Sequence, residues 1–282
     1  MSRAFHKRGS LKTKAGIAAT LFFAPFVLFY LYPVGSSAIF SLTSDTTGNF
    51  AGLSNYASLL SNEYFKMALK NSMVFTVIST PVLVVFAFVI ACLLFVSNKL
   101  IKLIRGVFLV PILVPSTALV LFWRVAFAAQ SDIHTFLLQF GESVPLLVPL
   151  YCFFIWKNAG LLAVIIMSGI AKIPEEIFDA AQVDGAGFVK KHFYITLPLI
   201  AKVLFFSLIL GIVQSFKIFK EVYLLYGSYP EDSLYFIQHY TTNKFQKLAY
   251  SELSAGAMMF TICLMLMIGG VFLAAKKAGK RL

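Results

Sequence analysis

Residues 72–96 read SMVFTVISTPVLVVFAFVIACLLFV, an unbroken run from Ser72 to Val96 without a charged side chain. About 20 apolar residues in a helix cross the hydrocarbon core of a bilayer, so this run predicts a transmembrane helix. Five further runs of the same character flank it: Ala15–Leu42, Leu103–Ala128, Val144–Ile170, Leu199–Glu221 and Leu253–Ala275. Together they predict an all-α membrane protein of about six transmembrane helices. Residues 15–275 form the membrane domain, between short tails 1–14 and 276–282.

Composition points the same way. Of the 282 residues, 59% are hydrophobic and only 13% charged, against about 25% charged in a water-soluble domain. Too few polar side chains remain to cover a water-facing surface. The net charge of +12 is not a nucleic-acid signature. Lys and Arg lie between the apolar runs and at the ends, whereas the aromatics lie inside them, so no basic–aromatic stripe forms. Cys92, Cys152 and Cys263 fall in three different runs with no CxxC pair, the pattern of small buried hydrophobes. His6, His134, His192 and His239 are scattered. No metal site and no catalytic constellation emerges.

The first run follows Arg3, Lys7, Arg8, Lys12 and Lys14, and Gly35-Ser36-Ser37-Ala38 resembles a cleavage site. Its apolar core from Ala15 to Val34 exceeds the roughly 7–15 residues of a signal peptide. A retained helix, bent at Pro25 and Pro33, is the expectation.

Cytoplasmic loops are enriched in Lys and Arg. With the N-terminus inside, the inner segments hold five before the first run, three in Lys99–Arg105, four in Lys172–Lys202 and four after Ala275, 16 of the 24 in the chain. Both termini are therefore expected in the cytoplasm. The acids are sharper still. All 12 Asp and Glu lie in loops or at run ends, Glu221 closing the fifth run. Ion-coupled carriers place carboxylates at membrane depth, so this distribution disfavours that class. On the inner side, acids occur only at Glu175, Glu176, Asp179 and Asp184.

That inner window, within 171–198, predicts a helix–turn–helix between the fourth and fifth spans. Pro174 suits a first helical turn, and Glu175 and Glu176 complement the positive end of the helix dipole. Ile177, Phe178 and Ala181 share a face. Gly185 supplies a left-handed stop, and a second helix is expected from about Phe188 to the Ile195-Thr196-Leu197-Pro198 break. Helices resting on headgroups favour Lys and Arg on their polar face. This one is acidic, with Ala180 and Ala181 as a close-approach surface, which suits a groove on a protein partner.

Asp179-Ala180-Ala181-x-x-Asp184-Gly185-Ala186, followed after eight residues by Ile195-Thr196-Leu197-Pro198, resembles the EAA loop of permease subunits of ATP-binding-cassette importers, in its carbohydrate-importer form. Supporting patches are Gly52-Leu53-Ser54-Asn55-Tyr56 ahead of the second helix, Pro111 to Phe122-Trp123-Arg124 in the third span, and Ile155-Trp156-Lys157-Asn158-Ala159-Gly160 in the fourth. The family most often has Glu where Asp179 stands.

The resemblance implies a multi-pass protein of a prokaryotic plasma (inner) membrane. It pairs with a second permease, couples to two cytoplasmic ATPases through Asp179, Ala180, Ala181, Asp184 and Gly185, and receives solute from an external binding protein. ATP and Mg belong to the partner ATPases. Consistent with that division, the chain has no GxxxxGK[ST] phosphate loop.

Polar groups at membrane depth are costly and usually face the bundle interior. Lys157 and Asn158 fall mid-way along the fourth run, Gln214, Ser215 and Lys217 in the outer half of the fifth, and Trp123 and Arg124 at the outer end of the third. Amide, charged and aromatic groups of this kind suit a sugar. Against that stand snorkelling for Arg124 and Lys217, a belt role for Trp123, and pairing of Lys157 with backbone carbonyls. Tyr229–Ser251 predicts a short outer helix that caps the bundle. The competing cargoes are glycerol phosphates, amino acids or polyamines; the competing classes are an ion-coupled carrier and a membrane enzyme.

Overall fold

The computed structural model describes residues 20, 23–45, 48–95, 99–126 and 147–279. The tail at 1–14, the beginnings of the first and fourth runs at Ala15 and Val144, the ends of the second and third at Val96 and Ala128, and the last three residues lie outside them. The described helices are α1 (Phe23–Phe40), α2 (Ser54–Ser61), α3 (Glu63–Leu94), α4 (Lys99–Leu113), α5 (Ser116–Ala126), α6 (Leu147–Ile170), α7 (Glu175–Val183), α8 (Phe188–Lys191), α9 (Ala201–Lys217), α10 (Phe219–Tyr226), α11 (Ile237–Gln246) and α12 (Tyr250–Gly279). The only β feature among the described residues is an isolated bridge between Thr43 and Phe50.

Among the described residues, five helical stretches are long and apolar enough to span a membrane: Phe23–Phe40, Glu63–Leu94, Leu147–Ile170, Ala201–Tyr226 and Tyr250–Lys277. The α4–α5 pair makes a sixth if counted as one broken span, since its halves meet at 100°. The third run is thus two helices with a break between them rather than one continuous helix. The break falls at Val114-Pro115, where the proline ring disfavours helical geometry for the residue before it. The Pro115 carbonyl then accepts the first bonds of α5, from the N–H groups of Ala118 and Leu119. In α1, distortion takes the form of a π turn at Val27–Leu31 between Pro25 and Pro33, which accommodates the bond that Pro33 cannot donate.

The second span starts nine residues earlier than its apolar run. Residues 63–71 are amphipathic: Phe65 and Ala68 are buried, in line with Ser72, while Lys66 and Lys70 are exposed. That spacing continues one helical stripe. The fifth span continues past Glu221 to Tyr226, ending at Gly227 with φ +75°, a left-handed stop.

The chain divides into two compact units. One comprises residues up to 63 together with Asn243–Thr261, and the other comprises Tyr64–Thr242 with Ile262–Leu282. In the first, Asn55 ties down the turn after α1, its Nδ2 donating to the carbonyls of Ser41 and Thr43 at 2.9 and 2.7 Å. The Tyr56 hydroxyl bonds Ser41 Oγ at 2.8 Å. Asp45 accepts the Ser251 N–H at 2.8 Å, satisfying a donor in the first turn of α12.

The second unit holds the core. Phe75, Leu83 and Ala87 of α3 pack in one cluster with Phe154, Leu162 and Ile166 of α6. Helices approach closely where side chains are small, as in other membrane bundles. A Cβ on Gly211 would stand 2.7 Å from Thr80 Cγ2, and one on Gly169 2.9 Å from Val203 Cγ2. Thr76 and Ser215 hydrogen-bond at 2.8 Å between α3 and α9. Arg105 Nε donates to the Leu94 carbonyl at 2.8 Å, satisfying an acceptor at the end of α3. The helix expected within Tyr229–Ser251 forms as α11, preceded by a stretch tied to α3. Asn71 Nδ2 donates to the carbonyls of Asp232 and Tyr235 at 2.6 and 3.1 Å, and Ser72 Oγ accepts the Ile237 N–H at 2.9 Å.

Candidate functional site

Two places gather the residues singled out by sequence. The first is the acidic loop. Pro174 is extended (ψ 137°) and precedes α7, whose first turn carries Glu175 and Glu176. The helix ends with Gly185 at φ +74°. Ala186 N–H bonds the Ala181 carbonyl at 2.9 Å and Gly185 N–H bonds that of Gln182 at 3.1 Å, the paired bonds of a Schellman turn. The predicted helix and turn are both present.

The faces of α7 differ from expectation at one residue. Asp179, Ala180 and Asp184 are exposed, but Ala181 is buried and Phe178 half-buried against the core. Ala181 therefore seats the helix on its own chain, and the outward face is acidic with Ala180 at its centre. Beyond Gly185 the second helix is also more irregular than predicted. The four residues of α8 pass into a π turn, His192–Thr196, and then Leu197–Leu199. The π turn lies just ahead of Pro198, where an α-helix would lack a donor. His192 is buried, with Nδ1 at 3.0 Å from Thr196 Oγ1. Burial, and then the neighbouring Lys191 charge, push its pKa below the ordinary histidine value. Lys191 Nζ lies 5.2 Å from the Phe178 ring centre, which braces α8 against α7.

The second place is a cavity of about 270 Å³ lined by Lys157, Asn158, Gln214, Lys217, Phe154 and Glu221, among others. Helices α6 and α9 bring four of the predicted pathway residues together: Lys157, Asn158, Gln214 and Lys217. Trp123 is not among those lining it. It belongs to an aromatic cluster, edge-on to Phe153 at 5.1 Å and 6.0 Å from Trp156. Arg124 is exposed at the end of α5.

Lys157 pairs with Glu221 rather than with backbone carbonyls. It also donates to Ser116 Oγ at 3.3 Å, at the start of α5 just after the break. Asn158 Nδ2 donates to the Phe154 carbonyl at 2.9 Å. Glu221 was the residue missed. Because the fifth span runs on to Tyr226, Glu221 lies inside it and is 2% exposed. The expectation that Glu221 closes the fifth span is corrected here, since the helix continues five residues beyond it. A signal existed: an ionisable group at membrane depth needs a partner, and Glu221 is the acid of the fifth run.

Residues 71–278 match the family model described as binding-protein-dependent transport system inner membrane component. The chain belongs to this family. As a member it is a multi-pass membrane transport subunit, a permease. It is 30% identical to the arabinooligosaccharides transport system permease protein AraP of Bacillus subtilis, over 93% of this chain and 88% of that one. It is 26% identical to the trehalose/maltose transport system permease protein MalF of Thermococcus litoralis, over 72% of this permease and 74% of the relative. In fold it is similar to a chain of a bacterial ABC transporter involved in the import of the acidic polysaccharide alginate, with a TM-score of 0.80, 17% identity and 96% of each chain covered.

Proposed function

We propose that this permease forms the translocation pathway of an ATP-driven, binding-protein-dependent importer of carbohydrate, most simply an oligosaccharide, in a prokaryotic plasma (inner) membrane. The observation that carries the cargo class is the extent of the similarity to sugar-system permeases, which runs along nearly the whole chain. The cavity supports it chemically, because amide, ammonium and carboxylate groups beside aromatic rings match the hydroxyls and apolar faces of a sugar.

In this reading both termini are cytoplasmic, a second permease completes the pathway, and two ATPases supply ATP and Mg. The ATPases grip the exposed face of α7, at Asp179, Ala180 and Asp184. Ala181 and Gly185 hold that face in position from behind and from its end. A binding protein delivers solute from outside. Closure of the ATPases pushes α7, which transmits force to the core through Phe178 and Ala181.

The test is reconstitution of the complete importer with candidate sugars, reading ATP hydrolysis and uptake together. Asp179→Lys should abolish sugar-stimulated uptake while the protein still inserts. Normal uptake in that variant removes α7 as the coupling element, and uptake driven by an ion gradient without ATPases overturns the whole reading.

A further inference from the structure

The cavity described above carries one carboxylate among its described lining, and it is paired. Lys157 and Lys217 line it, and Glu221 is the carboxylate among its described lining. Lys217 is exposed. Lys157 is the cation held inside, and Glu221 pairs with it.

The pair leaves hydrogen-bonding capacity of both signs. An ammonium has three donors and a carboxylate two acceptor oxygens. Lys157 directs donors to Glu221 Oε1 and to Ser116 Oγ, which leaves one N–H and the other Glu221 oxygen for a guest. Asn158 commits its amide N–H to Phe154, leaving Oδ1 as an acceptor. Gln214 lines the same cavity with an amide that both donates and accepts. A hydroxyl also donates and accepts at once. A carboxylate or phosphate only accepts, and the counter-charge it would require at Lys157 is already taken by Glu221.

We infer that Glu221 sets the cargo class: by occupying Lys157 it makes the cavity a site for uncharged, polyhydroxylated solutes and excludes uronates and sugar phosphates. This rests on the reading of the cavity as part of the pathway. Removing the carboxylate leaves an uncompensated ammonium at membrane depth, which is an anion site.

The experiment uses the assembled importer in lipid discs without the binding protein, which would impose its own selection. The native cysteines are replaced by serine, and Ile112→Cys, in the cavity wall, is the reporter. Protection of that thiol from a small maleimide is titrated with arabinotriose, maltose, trehalose and lactose as uncharged probes, and with trigalacturonate and glucose 6-phosphate as anionic ones. In the parent, at least one uncharged probe should protect and the anionic ones should not. Glu221→Gln should weaken the uncharged probe by up to about tenfold, because a charged acceptor becomes a neutral one, and should gain protection by an anionic probe. Lys157→Met with Glu221→Gln, which removes both charges, should lose the anionic protection again. If Glu221→Gln fails to assemble, the swap Lys157→Glu with Glu221→Lys carries the test and should keep the uncharged preference. Anionic protection in the parent, or an unchanged preference in Glu221→Gln, overturns the inference. A thiol that no probe protects in any variant instead removes the cavity from the pathway.

Discussion

The carbonyl oxygen of Phe108, in the first half of the broken third span, lies against Gly160 of the fourth with no space between them: a Cβ on Gly160 would stand 1.8 Å from it. The obstacle is backbone, which cannot rotate away as a side chain would. Close backbone approach of this kind is the main route to helix association in lipid, where no hydrophobic force acts between helices.

Gly160→Ala should therefore force α4 and α6 apart, at a cost of about 2 kcal/mol or more, as expected for overpacking against a fixed neighbour. Thermal unfolding of the purified importer measures it. Gly106→Ala is the control, because a Cβ there meets nothing within 4 Å, and it should leave the transition unchanged.

Asn71→Leu should loosen the segment that leads into α11. It removes both side-chain bonds to the Asp232 and Tyr235 carbonyls, one exposed and one part-buried, a loss of about 1 kcal/mol. Hydrogen exchange across 232–242 should quicken, with exchange in α6 unchanged.

His239 should make the same segment acid-sensitive. Its Nδ1 accepts the Phe236 N–H at 3.1 Å, so the neutral ring carries its proton on Nε2. Burial lowers its pKa from 6.5 to about 4. The unfolded segment binds the proton more readily, so the stabilisation is complete above about pH 6.5 and is lost as the pH falls toward 4, about 3 kcal/mol in all. Exchange protection in α11 measured from pH 7.5 to 4.5 should show this loss, and His239→Asn should flatten the profile.

Gly185→Val should weaken coupling. At φ +74° a side chain costs roughly 1–2 kcal/mol, which opposes the turn that ends α7. Sugar-stimulated ATP hydrolysis should fall while the permease still inserts. Gly187→Ala, where φ is −67°, should be close to neutral.

The spans and the acidic helix with its glycine stop were legible because each rests on local rules. A run such as Ser72–Val96 must be helical in lipid, where every backbone group has to be satisfied within its own segment. Gly185 is placed by the backbone conformation that its turn requires. The face of Ala181 was not legible. Residues Ile177, Phe178 and Ala181 shared a stripe in the sequence, but which part of it the core would cover depended on residues far along the chain.

The amino-acid sequence by itself determined a bundle of membrane helices, the bias of charge between its loops, and the residue pattern of the loop between the fourth and fifth spans. Hydrophobic length, helical period and turn chemistry all act over a few residues, so they can be read in order along the chain. Tertiary structure alone decided that Gly160 meets the Phe108 backbone and that Lys157 takes Glu221 as its partner. These depend on which helices become neighbours. Lys157 and Glu221 are 64 positions apart, and no local rule pairs them. The cost of a lone charge in a low-dielectric interior does so, once packing has brought α6 and α10 together.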